Sequence, residues 1–208
     1  MALHGRGNHI CNSKHAHPKR WACHTSILND TMRIGIFADA HDHVDNVRHA
    51  VNVFNAEECE LVIFAGDFCS PIVIPSLRNL YCRVLAVLGD NDGNVIGIKG
   101  GMKIIGEVAN GPVCLRTPDG IRILIGHTID SLRGVVGDAD VVIHAHSHRA
   151  NLERTERRLV INPGETSGWF YRKPTVAILE TAPLDARLIP LPEMASRVEI
   201  QNDMRSKV

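Results

Sequence analysis

The chain has 208 residues, a length that suits one domain with a sizeable hydrophobic core. Its 23 basic and 23 acidic residues balance and only 4% of its residues are aromatic, so the composition indicates neither a specific nucleic-acid partner nor a membrane surface. No apolar run is long enough to span a bilayer, and the polar N-terminus lacks the apolar segment of a secretory signal. The 6 cysteines are scattered without a C-x-x-C pair. We therefore expect a cytoplasmic protein with reduced thiols.

Residues 1–31 differ from the rest of the chain. They are rich in histidine and cysteine, show no helical or strand period, and precede a sharp strand start at Met32. We expect an N-terminal extension over 1–31, either disordered or upstream of the true start, then one domain over 32–195 and a loose tail over 196–208. A tract of this kind can bind zinc, but its spacing does not match a zinc finger.

Strands and helices alternate in the first half of the domain. Apolar residues recur at helical spacing from Val44 to Phe54, and Ser70-Pro71 suits the start of a helix that runs toward Leu80. The predicted strands around them are 33–38, 61–65 and 84–88. This order implies right-handed βαβ units and a parallel sheet.

The second half has turn signals such as Asn110-Gly111-Pro112 and Pro118-Asp119-Gly120 between short apolar runs. The strands predicted there are 113–116, 121–125, 141–144, 159–161, 176–180 and 186–189. A parallel half followed by a hairpin-rich half predicts an α/β fold with two packed sheets and helices outside them.

Carboxylates and imidazoles follow several of these strands. The candidate metal ligands, in chain order, are Asp39, His41, Asp67, Asp90, His127, His146 and His148. Since alternate residues of a strand point to opposite faces, Asp-x-His and His-x-His also require the chain to turn where they occur. Seven ligands are too many for one tetrahedral zinc and suit two divalent ions that share a carboxylate. Mixed aspartate and histidine ligands suit Mn²⁺, Ni²⁺, Fe²⁺ or Zn²⁺, of which we expect Mn²⁺ first.

The order and spacing of these motifs resemble the calcineurin-like metallophosphoesterases, from Met32 to about Pro192. The strings at 39–46, 161–165 and 173–177 look like the small single-domain phosphodiesterase branch of archaea and bacteria. The resemblance implies a four-layer α/β/β/α sandwich of two mixed sheets flanked by helices. It also implies that Asp67 bridges two ions, and it divides the other ligands into two sets. Those sets are Asp39, His41 and His148 on one ion, and Asp90, His127 and His146 on the other.

A dinuclear phosphodiesterase is the function that this resemblance implies, with a metal-bridging hydroxide that attacks a small phosphodiester. The residues expected to take part in catalysis are Asp67, Asp90, Asn91 and His127. Asn91 stands where related phosphomonoesterases often have a histidine acid, and an amide cannot protonate a leaving group. This difference favours diesters or substrates with good leaving groups, with His43 as a hypothetical substitute acid. A homo-oligomer is compatible with the sequence.

Two other functions share part of this pattern. A related retromer subunit uses this fold as a non-catalytic, metal-binding scaffold for protein interactions, but every ligand position here keeps a competent ligand. A metal amidohydrolase also carries His-x-His, but there the motif closes the first strand of a barrel for which this chain is too short.

The family usually has Gly-Asn-x-Asp where this chain has Gly89-Asp90-Asn91-Asp92, so a carboxylate replaces a neutral amide ligand unless Asn91 takes the ligand position instead. Three aspartates and one hydroxide cancel the charge of two divalent ions, which weakens attraction for an anionic phosphate and raises the pKa of the bridging water.

We therefore predict that Asp90→Asn leaves the metal content similar or lower and raises turnover of a phosphodiester. Metal analysis and steady-state kinetics of both proteins check this. Unchanged or lower turnover with both ions bound would contradict it.

Overall fold

The computed structural model describes residues 31–192, so the predicted tail and the predicted extension up to residue 30 lie outside the described residues. Strands β1 to β11 are Arg33–Phe37, Leu61–Phe64, Arg83–Val87, Gly106–Ala109, Val113–Arg116, Arg122–Ile125, Val141–Ile143, Asn151–Arg154, Leu159–Asn162, Thr175–Thr181 and Leu184–Pro190. Helices α1 to α4 are Val44–Ala56, Ile74–Leu77, Val95–Met102 and Ile129–Leu132, and a 3₁₀ turn, Pro71–Val73, precedes α2.

The first sheet has six strands in the order β11-β10-β1-β2-β3-β4. Strands β1 to β4 are parallel, while β10 is antiparallel to β1 and to β11. The second sheet has five strands in the order β5-β6-β7-β9-β8, with β6, β7 and β9 parallel and both edge strands antiparallel. Both sheets are therefore mixed, and each has a parallel centre.

The two sheets pack face to face through one apolar layer. Ile34 and Ile36 of β1 contribute to that layer together with Val141 and Ile143 of β7. The opposite face of the first sheet packs on α1 to α3, and Leu132 of α4 packs on the outer face of the second sheet. These layers confirm the predicted four-layer α/β/β/α sandwich.

All predicted strands and helices are present, and the structure adds four elements that were not predicted, namely β4, β8, α3 and α4. Helix α2 ends at Leu77 rather than Leu80. Strand β8 reads Asn-Leu-Glu-Arg on an exposed edge, which has no apolar alternation to detect. Helix α3 contains three glycines, which lower its helix propensity, and it begins at an Asn94 side chain that accepts a hydrogen bond from Gly97 N. In the described part of the chain, none of the helices is sufficiently long and apolar to cross a membrane.

Gly35, in the central strand β1, lies against Phe54 of α1. A Cβ atom there would lie 2.5 Å from the ring of Phe54, which is buried against the sheet. We predict that Gly35→Ala lowers the free energy of unfolding by about 1–3 kcal/mol, because the ring has to shift within a packed layer. Urea titration measures the change.

Gly100→Ala is the matched control. Gly100 lies on the exposed side of α3, where an added Cβ meets no atom within 4 Å. The same substitution should stabilise the protein there by up to about 1 kcal/mol, since alanine favours a helix interior. Equal effects at the two positions would contradict the packing explanation.

Candidate metal centre

All seven predicted ligands lie at the carboxyl ends of parallel strands. Asp39, Asp67 and Asp90 follow β1, β2 and β3 of the first sheet. His127 follows β6 of the second sheet, and His146 and His148 follow β7. Since the sheets are stacked, these loops meet at one edge of the sandwich, and the structure brings every predicted ligand to that edge.

The backbone turns where the sequence predicted a turn. Asp39, His41, Asp67, His146 and His148 have φ values of 50°, 40°, 65°, 68° and 61°, in the left-handed region that non-glycine residues rarely occupy. Each such residue costs about 1–2 kcal/mol, and strain of this kind is concentrated at functional sites. The turns bring both members of Asp-x-His into one cluster and give the two histidines of His-x-His one place in each of the two clusters.

The first cluster of possible ligands is buried. It comprises Asp39, His41, Asp67 and His148, whose nearest ligand atoms all lie within 4.8 Å of one another. His41 Nε2 lies 3.3 Å from His148 Nε2 and 3.5 Å from Asp67 Oδ2. Two ring nitrogens this close need a proton or a cation between them.

The second cluster is more open to solvent. Asp90 Oδ1 lies 2.8 Å from His127 Nε2 and 3.1 Å from His146 Nδ1. The side chains of Asp90 and His146 are about half exposed, whereas that of His127 is buried. The sequence left open whether Asp90 or Asn91 takes the ligand position. In the structure the carboxylate of Asp90 faces both histidines.

Asp67 lies between the clusters. Its Oδ2 faces His41 of the first cluster, and its Oδ1 lies 3.4 Å from His127 Nε2 of the second. Asn91 holds this carboxylate with two hydrogen bonds, from its backbone N to Oδ1 at 3.0 Å and from Nδ2 to Oδ2 at 2.8 Å. A Cβ at Gly89 would lie 2.1 Å from Asp67 Oδ1, so only glycine fits before Asp90.

Three histidines are oriented through Nδ1, which leaves Nε2 directed at the clusters. His127 Nδ1 contacts the carbonyl oxygen of Ala65 at 2.8 Å, and His148 Nδ1 contacts Glu165 Oε2 at 3.1 Å. His41 Nδ1 lies 3.2 Å from Cys69 Sγ. Partners of this kind set the tautomer and ring orientation of metal-binding histidines.

Burial and neighbouring charges shift the pKa values of the buried groups. Burial raises the pKa of Asp39 to about 7. Burial would also raise the pKa of Asp67, but His127 and the two Asn91 donors hold it below its usual range. For His127 burial acts to lower the pKa, yet the adjacent Asp67 carboxylate raises it to about 9.

The buried atoms without hydrogen-bond partners indicate what the clusters can bind. Among the described residues they include both carboxylate oxygens of Asp39. A fully buried carboxylate with no donor is costly unless a cation binds it. The residues present therefore fit divalent metal ions.

Glu165 was not among the predicted site residues, although it is the last residue of the string at 161–165. This buried carboxylate contacts His148 and accepts hydrogen bonds from Phe170 N at 2.9 Å and Tyr171 N at 2.6 Å. Its position after β9, at the same edge as the ligands, was the available signal. His43 instead caps α1, where its Nδ1 accepts from Asn46 N, and it belongs to neither cluster.

A two-sheet sandwich with clustered aspartates and histidines at one edge defines a metal-dependent phosphoesterase class. Residues 32–183 match the model of the calcineurin-like phosphoesterase superfamily domain. The chain belongs to this superfamily and is a phosphoesterase, a hydrolase of phosphate esters.

Two archaeal proteins are similar to it in sequence. A phosphodiesterase of Methanocaldococcus jannaschii is 38% identical over 166 residues, which cover 77% of this chain and 99% of the relative. A probable metallophosphoesterase of Methanothermobacter thermautotrophicus is 31% identical over 165 residues, covering 76% and 92%. The solved structure of an archaeal phosphodiesterase matches with a TM-score of 0.71 and 36% identity, and the match covers 77% of this chain and all of that one.

We predict that Glu165→Gln weakens metal binding roughly 10- to 100-fold, because the amide no longer orients His148 as a carboxylate does. Isothermal titration with Mn²⁺ measures the affinity. Glu153→Gln, on the exposed edge strand β8, is the control and should bind like the wild type. Equal affinities for the two variants would contradict the role given to Glu165.

Proposed function

We propose that the chain is a dinuclear, metal-dependent phosphodiesterase. The reaction breaks one P–O ester bond of a small phosphodiester with the addition of water, and it yields a phosphomonoester and an alcohol. The observation that carries this proposal is the position of Asp67, which presents one oxygen to each of two adjacent clusters of histidine and carboxylate ligands.

In this proposal the two clusters hold one ion each and share Asp67. Asp39, His41 and His148 complete the first site, and Asp90, His127 and His146 complete the second. When bound, two such ions supply a hydroxide nucleophile near neutral pH and polarise the phosphoryl group. Mixed oxygen and nitrogen ligands favour Mn²⁺, with Ni²⁺, Fe²⁺ or Zn²⁺ as the other candidates.

Asn91 supports a preference for diesters. Both of its donors bind Asp67, so it fixes the shared carboxylate. It has no acidic proton to give to a leaving group. The substrates that suit it are therefore diesters or other esters whose leaving groups depart without protonation. The residues proposed to act closest to the reacting phosphorus are Asp67, Asp90, Asn91 and His127.

The complete ligand set favours an enzyme over a non-catalytic scaffold on the same fold. A cytoplasmic location and a homo-oligomeric state remain predictions from the sequence.

Metal analysis combined with two assays tests the function. We expect two divalent ions per chain, and faster hydrolysis of bis(4-nitrophenyl) phosphate than of 4-nitrophenyl phosphate when Mn²⁺ is added after chelation. Ni²⁺, Zn²⁺ and Mg²⁺ are compared under the same conditions, and Mg²⁺ should be the weakest because the ligands are rich in nitrogen. A protein that binds no metal and hydrolyses neither ester would overturn the proposal.

Single substitutions separate the two sites. Asp39→Asn should remove the ion of the buried cluster and His146→Ala that of the open cluster, so each variant should retain about one ion and lose at least ~100-fold in turnover. Asp45→Asn, on the exposed start of α1, is the control and should keep both ions and full turnover. Two retained ions in both ligand variants would contradict the assignment.

A further inference from the structure

Three consecutive aromatic residues are exposed beside the metal centre. Aromatic residues make up only 4% of the chain, yet Trp169, Phe170 and Tyr171 are 56%, 67% and 44% exposed. We call residues 169–171 the aromatic segment. Adjacent large aromatic side chains in solvent are unusual in a monomeric surface and indicate a binding function.

The segment lies against the buried cluster. The ring of Phe170 is 4.3 Å from the ring of His148 and 6.2 Å from that of His41, measured between centroids. Trp169 donates a hydrogen bond from its indole nitrogen to the carbonyl oxygen of His41 at 3.3 Å. A group held at the metal centre would therefore have the Phe170 ring next to it.

The aromatic segment is held in a fixed position relative to the predicted ligand His148. Glu165 Oε2 accepts from the backbone N of Phe170 and also contacts Nδ1 of His148, while Oε1 accepts from the backbone N of Tyr171. One buried side chain thus positions both a predicted metal ligand and the aromatic surface. Rigid aromatic groups bind with little loss of conformational entropy.

A positive charge lies at the edge of the segment. Arg149 Nε donates to the Tyr171 hydroxyl at 3.0 Å, and its guanidinium lies 5.2 Å from the centre of the Tyr171 ring. Arg149 follows His148 directly in the chain, and these contacts hold its charge against the aromatic segment. The aromatic rings of the segment and the guanidinium of Arg149 together suit a negatively charged phosphate ester that carries a flat group.

We propose that the aromatic segment is a specificity subsite that stacks a flat aromatic substituent of the phosphodiester, with Phe170 as its main contact. This inference rests on the proposed function and names the substrate class within it. Substrates are diesters with a nucleobase or a simple aryl group, and not dialkyl esters. Stacking suits both groups because each has a π face.

Competition between two stable phosphonates tests the subsite. Phenylphosphonate and methylphosphonate differ only in the flat substituent, and neither is cleaved at its P–C bond. With the Mn²⁺-loaded protein we expect phenylphosphonate to inhibit bis(4-nitrophenyl) phosphate hydrolysis with an inhibition constant about 5- to 100-fold lower than that of methylphosphonate. In Phe170→Leu the ratio should fall to about 1–3, since leucine keeps apolar area but has no π face.

Tyr81→Leu is the matched control. Tyr81 is 88% exposed and precedes β3, at the end of the sheet opposite the metal centre. This variant should keep the wild-type ratio, and Phe170→Trp should keep or increase it. Equal inhibition constants for both phosphonates in the wild type, or a ratio that Phe170→Leu leaves unchanged, would overturn the inference.

A second series of substrates separates the two possible sources of the flat group. The 4-nitrophenyl esters of thymidine 5′-phosphate, phenyl phosphate and methyl phosphate share one leaving group. A kcat/KM highest for the thymidine ester assigns a nucleobase, and one highest for the phenyl ester assigns a simple aryl group. If the wild type hydrolyses these esters but binds both phosphonates equally, the subsite is wrong and the phosphodiesterase stands. If no ester is hydrolysed with metal bound, the proposed function itself fails.

Discussion

The Asp67 carboxylate is the interaction on which the rest of the site depends. It is fully buried, and burying an ionised carboxylate costs several kcal/mol unless donors or cations surround it. Asn91 from the loop after β3 donates to both oxygens, and His41 and His127 face it from the loops after β1 and β6. Its backbone oxygen also accepts from Ala40 N and His41 N. Loops of both sheets must therefore converge on this one residue.

The fold meets this demand by storing strain at the strand ends. Left-handed backbone at five of the seven predicted ligands is offset by the burial of apolar side chains between the sheets. The result is asymmetric, because the cluster around Asp39 is buried whereas Asp90 and His146 are half exposed. Under the proposed function, a substrate reaches the phosphoryl-binding position from the open side, and the buried side supplies rigidity.

Glu165 links this chemistry to recognition. It orients His148 through one oxygen and binds the backbone of the aromatic segment through both. Under the proposed subsite, a change in the segment therefore alters which ester group is preferred while the clusters stay in place. Substitution of Glu165 itself should disturb both at once, because the same side chain contacts His148 and the backbone of the segment.

Local patterns were enough to predict the parallel arrangement of β1 to β3, the chemical types of the candidate ligands and the turns after their strands. Each of these follows from apolar runs that end directly in Asp or His, which are visible without tertiary contacts. The sequence left open whether Asp90 or Asn91 faces the second cluster, and it assigned no role to Glu165 or the aromatic segment. Those depend on contacts between residues far apart in the chain, such as Asn91 with Asp67 and Glu165 with His148. Only the stacking of two sheets decides these contacts, since it brings strand ends from both halves of the chain to one edge.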